Sequence, residues 1–445
     1  MKKKNYFSLK NAFSALMLFG AFTLNAQTHI TDRAGLEAIA NDPGGSYVLD
    51  NDIDLSGADW VRGDYVFYGT LDGNGHKILN MTINADYPEI GLFKKIANDG
   101  DNDGPKTVKN LGFVNININS TSNNVGAIAG TCGPAIFENC WIESGTITTT
   151  GDLIGGFSGL TYGITIRECY SYANVNGKGH VGGLIGHMNG GLIEDCNVNA
   201  NIKATQIAGG GIAGWEAEIA GEIRRCYAKG TVKVYDIGFG GGIVGVMDDA
   251  NADHTLKITD CIAAQTVIQY IDGDDNTSIS GCARIYSDAG KGIVTPSNNY
   301  GLETIPGEWG SIAADGYDGA NMTEAQFIDE TFFADNLPSW GIGGFDESAW
   351  EMTAKGPMLV GQVDAPATAI RRILSESKAK VYSSNGRIYV KGAENNATIK
   401  FYNIAGMLVH EEKVNSTIET YDLKGLLIIE ISSPEARGIY KISNF

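Results

Sequence analysis

The stretch Val181-Gly-Gly-Leu-Ile-Gly186, followed by Cys196, decides the fold because it recurs along the chain. Its closing glycine and the cysteine after it both return about every 28 residues in one common register. The glycines are Gly130, Gly159, Gly186, Gly214 and Gly245, and the cysteines are Cys140, Cys169, Cys196, Cys226 and Cys261. Two markers in one register indicate a repeat, with each copy forming one coil of a solenoid.

The apolar pattern inside each repeat has a period of two residues, which is typical of a strand with one inward face. Small or aliphatic residues follow the cysteines at two and about six positions: Ile142, Ser171, Val198, Ala228 and Ala263, then Ile147, Val175, Ile202, Val232 and Val267. Isoleucines also precede the cysteines: Ile136, Ile166, Ile193, Ile223 and Ile258. The polar residues between isoleucine and cysteine are predicted to form a corner, and the glycine motif a third short strand. This pattern predicts an all-β parallel β-helix, whereas a leucine-rich repeat would need a leucine pattern that is absent.

The repeat cores resemble those of the GLUG-repeat proteins of bacterial surfaces, in which G-G-[LI]-x-G is followed by an x-x-C-Y element. Residues 47–56, 67–76 and 90–93 are similar to the opening coils of that family, and residues 322–327 and 350–359 to its closing element. The resemblance implies a right-handed parallel β-helix over residues 27–361, with repeat coils over about 110–300. It implies no particular activity.

Capping helices are predicted because both ends of a solenoid expose unpaired strand edges. Residues 31–41 form a candidate helix that turns Leu36 and Ile39 toward the first coil. Thr323 is a candidate N-cap for a second helix that runs to about Ala334 and shields the other end.

Residues 1–26 are predicted to be a secretory signal peptide, with an early lysine cluster, an apolar run and a cleavage site after Ala26. No later stretch approaches 18 uninterrupted apolar residues, so no transmembrane segment is expected. Acidic residues exceed basic residues by 52 − 33 = 19. This balance excludes a basic nucleic-acid-binding surface.

A separate C-terminal module is predicted because the glycine pattern stops after Gly361. Residues 362–378 are interpreted as a linker, and the alternating strands of residues 379–445 as a small β-sandwich. Residues 399–409 and the closing Tyr440-Lys-Ile resemble the C-terminal sorting domains of the type IX secretion system of gram-negative bacteria. The resemblance implies that export machinery is a partner, although residues 425–429 lack the usual aromatic. An ordinary accessory β-sandwich is the alternative.

The cysteines are predicted to be buried free thiols. Stacked rungs lie ~4.8 Å apart, whereas the Cβ atoms of a disulfide lie ~3.8 Å apart. A pair between Cys132 and Cys140 is the alternative, and no spacing favours a zinc site.

Two polar columns precede the cysteines at the predicted corner. Their members are Glu138, Arg167, Glu194, Arg224 and Thr259, then Asn139, Glu168, Asp195, Arg225 and Asp260. Alternating signs favour a ladder of ion pairs between rungs. The alternative is a catalytic carboxylate cluster, as in solenoid polysaccharide lyases and hydrolases.

The residues that follow the cysteines face outward by parity, and Trp141, Tyr170 and Tyr227 are aromatic. An exposed aromatic column would stack on sugar rings, so these three are the candidate ligand-binding residues. The alternative is a stacked ladder that covers its own coil.

The candidate metal ligands are Asp99, Asp101 and Asp103, which resemble the start of a calcium loop. Asn110 stands where the loop needs a bidentate Glu, so only a weak structural calcium site is predicted, and no other cofactor. No catalytic motif or catalytic residue is identified. His180 and His187 flank one glycine motif without a nearby nucleophile.

The sequence therefore predicts an exported cell-surface or secreted repeat protein that acts in adhesion or in ligand binding, with a glycan or a host or matrix protein as the ligand of the solenoid face. A carbohydrate-active enzyme on the same scaffold, either a polysaccharide lyase or a glycoside hydrolase, is the first alternative. A structural spacer is the second.

Overall fold

The computed structural model describes residues 27–97, 106–216, 219–236, 238–247, 255–274, 276–288, 293–343, 348–364, 375–376, 380–384, 387–391, 397–403, 408–413, 418–421, 425–432 and 436–444. The chain divides into two compact units, residues 1–366 and residues 367–445. The division falls inside the predicted linker. The predicted signal peptide and the acidic loop with Asp99, Asp101 and Asp103 lie outside the described residues.

The first unit is built almost entirely of short strands. They are β1 (Thr28–Ile30), β2 (Ser46–Leu49), β3 (Ile53–Asp54), β4 (Val66–Phe67), β5 (Thr70–Asp72), β6 (Lys77–Leu79), β7 (Thr82–Ala85), β8 (Phe93–Ile96), β9 (Lys106–Lys109), β10 (Gly112–Val114), β11 (Ile116–Ser120), β12 (Ala129–Cys132), β13 (Ala135–Glu138), β14 (Trp141–Ile142), β15 (Gly145–Thr149), β16 (Leu153–Gly155), β17 (Ser158–Arg167), β18 (Tyr170–Ser171), β19 (Asn174–Gly177), β20 (His180–Gly182), β21 (Ile185–Glu194), β22 (Asn197–Ala204), β23 (Ala208–Gly210), β24 (Ala213–Glu216), β25 (Gly221–Arg224), β26 (Tyr227–Tyr235), β27 (Phe239–Gly241), β28 (Val244–Met247), β29 (Thr255–Thr259), β30 (Ile262–Ile271), β31 (Thr277–Ser278), β32 (Cys282–Ala283), β33 (Tyr286–Asp288), β34 (Ile293–Ser297), β35 (Tyr300–Leu302), β36 (Ala320–Met322), β37 (Trp350–Thr353) and β38 (Gly356–Leu359). The helices are α1 (Arg33–Ala38), α2 (Glu324–Phe327) and α3 (Glu330–Asn336), with 3₁₀ turns at Ile39–Asn41 and Pro338–Trp340.

The first unit is a parallel β-helix. Among the described residues, successive coils stack their strands into three sheets, which pair in parallel apart from the short strand β31. One coil shows the plan: β20 belongs to the sheet of the glycine motif, β21 to the second sheet, and β22 to the third. Each strand then pairs with its counterpart one coil later, as β20 does with β23. The predicted three strands and three corners per repeat are confirmed.

The interior consists of the small and aliphatic columns that the period of two predicts. The five repeat cysteines and the residues two positions later are all fully buried. Two predicted members are wrong. Phe137, not Ile136, pairs with Ile166 and is buried, because Ile136 lies on the opposite side of its strand. Ile268, not Val267, pairs with Val232, because β30 contains one extra residue, Thr266, opposite the step from Gly230 to Thr231, and this moves the inward position by one residue.

The residue before each repeat cysteine makes the predicted corner by adopting a left-handed conformation. Its φ angle is 49° at Asn139, 53° at Glu168 and 50° at Asp195, and Arg225 and Asp260 follow the same pattern at 49° and 54°. Non-glycine residues rarely adopt this conformation. Because five residues adopt it at the same position of successive coils, their side chains project from one edge of the solenoid.

The closing glycine of the repeat is required by contact between coils. A Cβ atom on Gly186 would lie 2.3 Å from the backbone nitrogen of Ile154 in the preceding coil. Such an approach is far inside van der Waals contact, so a side chain at this position would push neighbouring coils apart.

The first predicted cap is present, and the second is built differently. Asp32 caps α1, and Leu36 and Ile39 are buried in the interior. Thr323 forms a capping box with Gln326, but α2 ends at Phe327 and Asp329 caps the separate helix α3. Because Phe327 and Phe332 pack on Tyr227 and Tyr300, these helices contact the side of the solenoid instead of shielding its end.

All seven cysteines lie among the described residues, and each is a free thiol. The prediction of buried free thiols is confirmed for the five repeat cysteines and for Cys132, whereas Cys282 is partly exposed. The Sγ atom of Cys196 donates a hydrogen bond to the carbonyl oxygen of Glu194 at 3.0 Å. Burial raises the pKa of Cys132 to about 12, so this thiol stays protonated at neutral pH.

The second unit, described by itself, forms two small sheets. Its strands are β39 (Ser375–Glu376), β40 (Lys380–Ser384), β41 (Arg387–Lys391), β42 (Thr398–Asn403), β43 (Leu408–Lys413), β44 (Ile418–Tyr421), β45 (Gly425–Ser432) and β46 (Ala436–Asn444). Among the described residues, β39, β46, β45, β42 and β43 form one sheet, and β40, β41 and β44 form the other. Ile399, Phe401 and Ile429 are fully buried.

Candidate functional site

The predicted binding residues lie in one column on the outer surface of the third sheet. Strand pairing places Trp141 between Gly112 and Tyr170, and continues the column through Asn197 to Tyr227. We call this set the outer column; its members, in order, are Lys77, Gly112, Trp141, Tyr170, Asn197, Tyr227, Ile262 and Tyr300. The outward direction of these side chains agrees with the parity argument.

The prediction that this column is exposed is wrong for two of its three aromatic residues. Tyr170 and Tyr227 are each only 4% exposed. Residues 348–364, here called the closing segment, cover them. The ring of Trp350 packs on Tyr227 with centroids 5.7 Å apart, and the backbone N–H of Val363 donates to Tyr170 Oη at 3.4 Å. The chain therefore covers its own aromatic column, which strand periodicity does not reveal.

A reciprocal amide pair holds the closing segment on the column. Gln362 Oε1 accepts from Asn197 Nδ2 at 2.9 Å, and Gln362 Nε2 donates to Asn197 Oδ1 at 3.0 Å. The same amide donates to Tyr172 Oη at 2.6 Å and accepts from the backbone N–H of Leu359 at 2.8 Å. Because Asn197 has no exposed surface, its side chain depends on Gln362 for its hydrogen bonds.

Two further contacts fix the other end of the closing segment. Trp350 Nε1 donates to Asp195 Oδ1 at 2.9 Å, which attaches the segment to the corner residue that precedes Cys196. Lys229 Nζ donates to the carbonyl oxygen of Lys355 at 2.7 Å and lies 4.5 Å from the ring centroid of Phe327. Burial, together with the charge of Lys355, lowers the pKa of Lys229 to about 8.

Trp141 lies at the edge of this cover and lines an open pocket of about 190 Å³. The pocket is formed by Lys77, Asn139, Trp141, Glu143, Glu168, Tyr170, Leu359, Val360, Gly361, Gln362 and Val363. A second pocket of about 380 Å³ shares Asn139, Glu168, Leu359 and Val360 with it. The structure thus brings Trp141 and Tyr170 to one site and leaves Tyr227 outside it.

The indole of Trp141 is held in a defined orientation. Its Nε1 donates to Glu143 Oε1 at 2.9 Å, and Lys77 Nζ pairs with the same carboxylate at 2.8 Å. One side of the indole stacks on Tyr170, with ring centroids 6.4 Å apart and planes 21° apart. A Cβ atom on Gly112 would lie 2.5 Å from the indole. The absence of a side chain at Gly112 therefore provides the space that the indole ring occupies.

Glu168 adds an acidic group to both pockets. Burial, together with the negative charges of Glu138 and Asp195, raises the pKa of its carboxyl group. The pocket therefore combines an oriented aromatic ring with two carboxyl groups and the ammonium of Lys77.

Ion pairs account for much of the remaining corner charge, as the ladder interpretation predicts. Arg167 pairs with Glu138 at 3.0 Å, and Arg224 pairs with Glu194 at 2.7 Å. Arg225 contacts Glu194 and Asp195 at 2.7 Å and 2.6 Å. The hydrogen bonds from Arg224 and Arg225 hold the pKa of Glu194 below its usual value.

Lys77, Glu143 and the closing segment are parts of the site that were not predicted from the sequence. Lys77 could have been found by extending the register upstream, since Ile78 pairs with Phe113. Glu143 lies two residues after Trp141 and shares its outward parity. The closing segment carried no such signal, because its contacts join residues that are far apart in the sequence.

Within the described residues, no group of three or more His, Cys, Asp or Glu side chains is arranged to hold a metal ion. The three aspartates proposed as calcium ligands lie outside that part of the chain. A search of the described helices also finds none that is long and apolar enough to cross a membrane.

No family model matches the chain. Halomucin of Haloquadratum walsbyi is 26% identical to it over 212 residues, which represent 44% of this chain and 2% of Halomucin. The chain thus spans only a small fraction of the length of that relative. A crystal structure from Bacteroides ovatus, described as a "putative immunoglobulin A1 protease", is 20% identical with a TM-score of 0.49, covering 75% of this chain and 92% of that one.

Proposed function

We propose that the protein is an exported surface or secreted binding protein whose pocket at Trp141 holds one ring of a glycan. The observation that carries this proposal is the oriented indole of Trp141, which lies beside two carboxyl groups and an ammonium in one open pocket. Sugars present apolar C–H faces and hydroxyl edges, so an aromatic ring with adjacent polar groups complements both.

The size of the pocket supports a single sugar unit with the rest of the glycan outside. Its volume of about 190 Å³ is below the ~300–1,000 Å³ of pockets that enclose drug-sized ligands. Glu143 and Lys77 are already paired with each other, so they offer hydrogen bonds to hydroxyl groups without a large uncompensated charge. The adjacent pocket beside Glu168 has room for a second unit.

Export is part of the same proposal. The leader-like residues 1–26 and the GLUG-like repeats support a surface location, and so does the similarity to Halomucin. The second unit is proposed to act as a type IX sorting domain, supported by the sequence resemblance of residues 399–409. Detection of the chain on intact cells, and its loss from the surface on deletion of residues 367–445, would test this part.

A glycan array tests the binding function most broadly. The full chain is compared with the variants Trp141→Ala and Tyr317→Ala; Tyr317 is exposed and packs on Tyr286 in a later coil. We expect a defined set of glycans to bind the unchanged chain and the Tyr317→Ala variant but not the Trp141→Ala variant. Equal signals from Trp141→Ala, with its fold verified by circular dichroism, would refute the proposed pocket.

A second candidate function, glycan cleavage, is favoured by Glu168 specifically. Its raised pKa suits proton donation to a leaving group, and Glu143 lines the same pocket as a second carboxyl group. Polysaccharide turnover is measured in parallel with binding. Turnover that disappears in Glu168→Gln while binding persists would establish an enzyme, and binding without turnover would exclude this second candidate.

A further inference from the structure

His180 and His187 meet on the side of the solenoid at the glycine motif, in a different place from the pocket at Trp141. His180 begins β20 and His187 lies in β21 of the same coil, with the turn of the motif between them. Trp215 pairs with His187 in the next coil, and its ring stacks on His180 with centroids 4.2 Å apart and planes 22° apart. Both imidazoles are half-buried.

The two histidines face each other through the same type of ring nitrogen. His180 Nδ1 and His187 Nδ1 are 3.1 Å apart. His187 Nε2 is 3.1 Å from the side-chain oxygen of Asn189, which is only 2% exposed. An amide oxygen accepts hydrogen bonds, so the contact with Asn189 favours the tautomer of His187 that has its proton on Nε2. In that tautomer the lone pair of Nδ1 points toward His180.

This separation matches the distance between two nitrogen ligands on one metal ion. Nitrogens that each lie ~2.05 Å from an ion are about 2.9 Å apart at a right angle and about 3.3 Å apart at a tetrahedral angle. The observed 3.1 Å lies between these values. We propose that His180 and His187 chelate a divalent late transition-metal ion, Cu²⁺ above the others, on the surface of the solenoid.

The surroundings are those of a prepared ligand pair. The bond to Asn189 is of the kind that orients metal-binding histidines from behind. Trp215 limits rotation of the His180 ring.

The choice of metal follows from the donors. Imidazole nitrogens suit zinc, copper, iron and nickel, and Cu²⁺ binds most strongly among the divalent ions of this series. With two protein ligands, water molecules complete the coordination sphere, so the ion exchanges with solvent. When the metal binds, His180 shifts its proton from Nδ1 to Nε2, and no net proton leaves the pair.

Tryptophan fluorescence measures this binding directly, because bound Cu²⁺ would lie close to Trp215. The full chain is prepared without a polyhistidine tag and with the substitution His29→Gln, which removes an exposed imidazole from the background. Titration with Cu²⁺ is expected to quench fluorescence saturably. Adding His180→Gln or His187→Gln should weaken the apparent affinity at least tenfold, whereas adding His76→Gln should leave it unchanged.

Two further measurements separate the proposal from nonspecific binding or misfolding. The Trp215→Phe variant should lose the quenching but keep its affinity in calorimetry. Electron paramagnetic resonance of bound Cu²⁺ should show two nitrogen ligands, and one after His187→Gln. An unchanged titration midpoint in folded His180→Gln and His187→Gln chains, or quenching without saturation, would overturn the proposal.

Discussion

Replacement of Gln362 by Leu is expected to release the closing segment from the outer column. The substitution leaves Nδ2 and Oδ1 of fully buried Asn197 without their amide partner. An orphaned buried polar group costs ~1–3 kcal/mol, so two such groups with some relaxation give about 2–4 kcal/mol. At ~1.4 kcal/mol for each factor of ten, the opening equilibrium of the segment should rise about 30- to 1,000-fold.

Native-state amide hydrogen exchange measures that equilibrium for the closing segment alone. The Val363 N–H, which donates to Tyr170 Oη of the outer column, loses its partner when the segment detaches. Exchange should accelerate there in Gln362→Leu, while the interior strand β21 keeps its protection. Val360→Ala is the matched control, since this side chain on the same segment is 65% exposed and surface substitutions of this kind change stability little.

A double variant tests the cause of the effect. Asn197→Leu combined with Gln362→Leu removes both amides, and replacing both partners of a hydrogen bond by apolar groups of similar shape can be nearly neutral. The double variant should therefore recover about 1–2 kcal/mol of the loss. Unchanged protection in Gln362→Leu, or a double variant that loses the full sum of the two single effects, would refute the amide-pair argument.

Two other predictions concern the coils. Gly186→Ala should lower the melting temperature by several degrees, because its Cβ would meet the Ile154 backbone. Gly273→Ala is the control: no atom lies within 4 Å of its Cβ, so the melting temperature should not change. Equal melting temperatures of the two variants would contradict the packing argument. Glu168 has a raised pKa, so its ionisation disfavours the fold, whereas the lowered pKa of Glu194 means that its ionisation favours it. Thermal melting at pH 7 should therefore show Glu168→Gln stabilised and Glu194→Gln destabilised. The Glu168 effect should disappear below the unfolded-state pKa of ~4.3, whereas the Glu194 effect should be lost only as the pH falls further, through the lowered pKa of the folded state; shifts of the same sign at pH 7 would oppose this assignment.

The sequence was sufficient to predict the coils of the solenoid, but not the closing segment that covers the outer column. Contacts between neighbouring coils recur at a fixed spacing, so they leave a periodic pattern of glycines and cysteines in the sequence. The three-sheet plan and the buried thiols were therefore predictable. The register shift beside Val232 was not, because an extra residue in a strand changes no composition. The pocket also escaped prediction, since Gln362 contacts Asn197 across 165 positions of the chain and no periodicity links them.

The chain covers its own aromatic column and leaves Trp141 as the accessible aromatic residue of that column. Hydroxyl-radical footprinting of the full chain, read residue by residue by mass spectrometry, measures this accessibility. We expect oxidation of Trp141, protection of Tyr170 and Tyr227, and loss of the Trp141 signal when a bound saccharide is added. Oxidation of Tyr170 and Tyr227 as rapid as that of exposed Tyr317, or a Trp141 signal that does not change with saccharide, would contradict this arrangement.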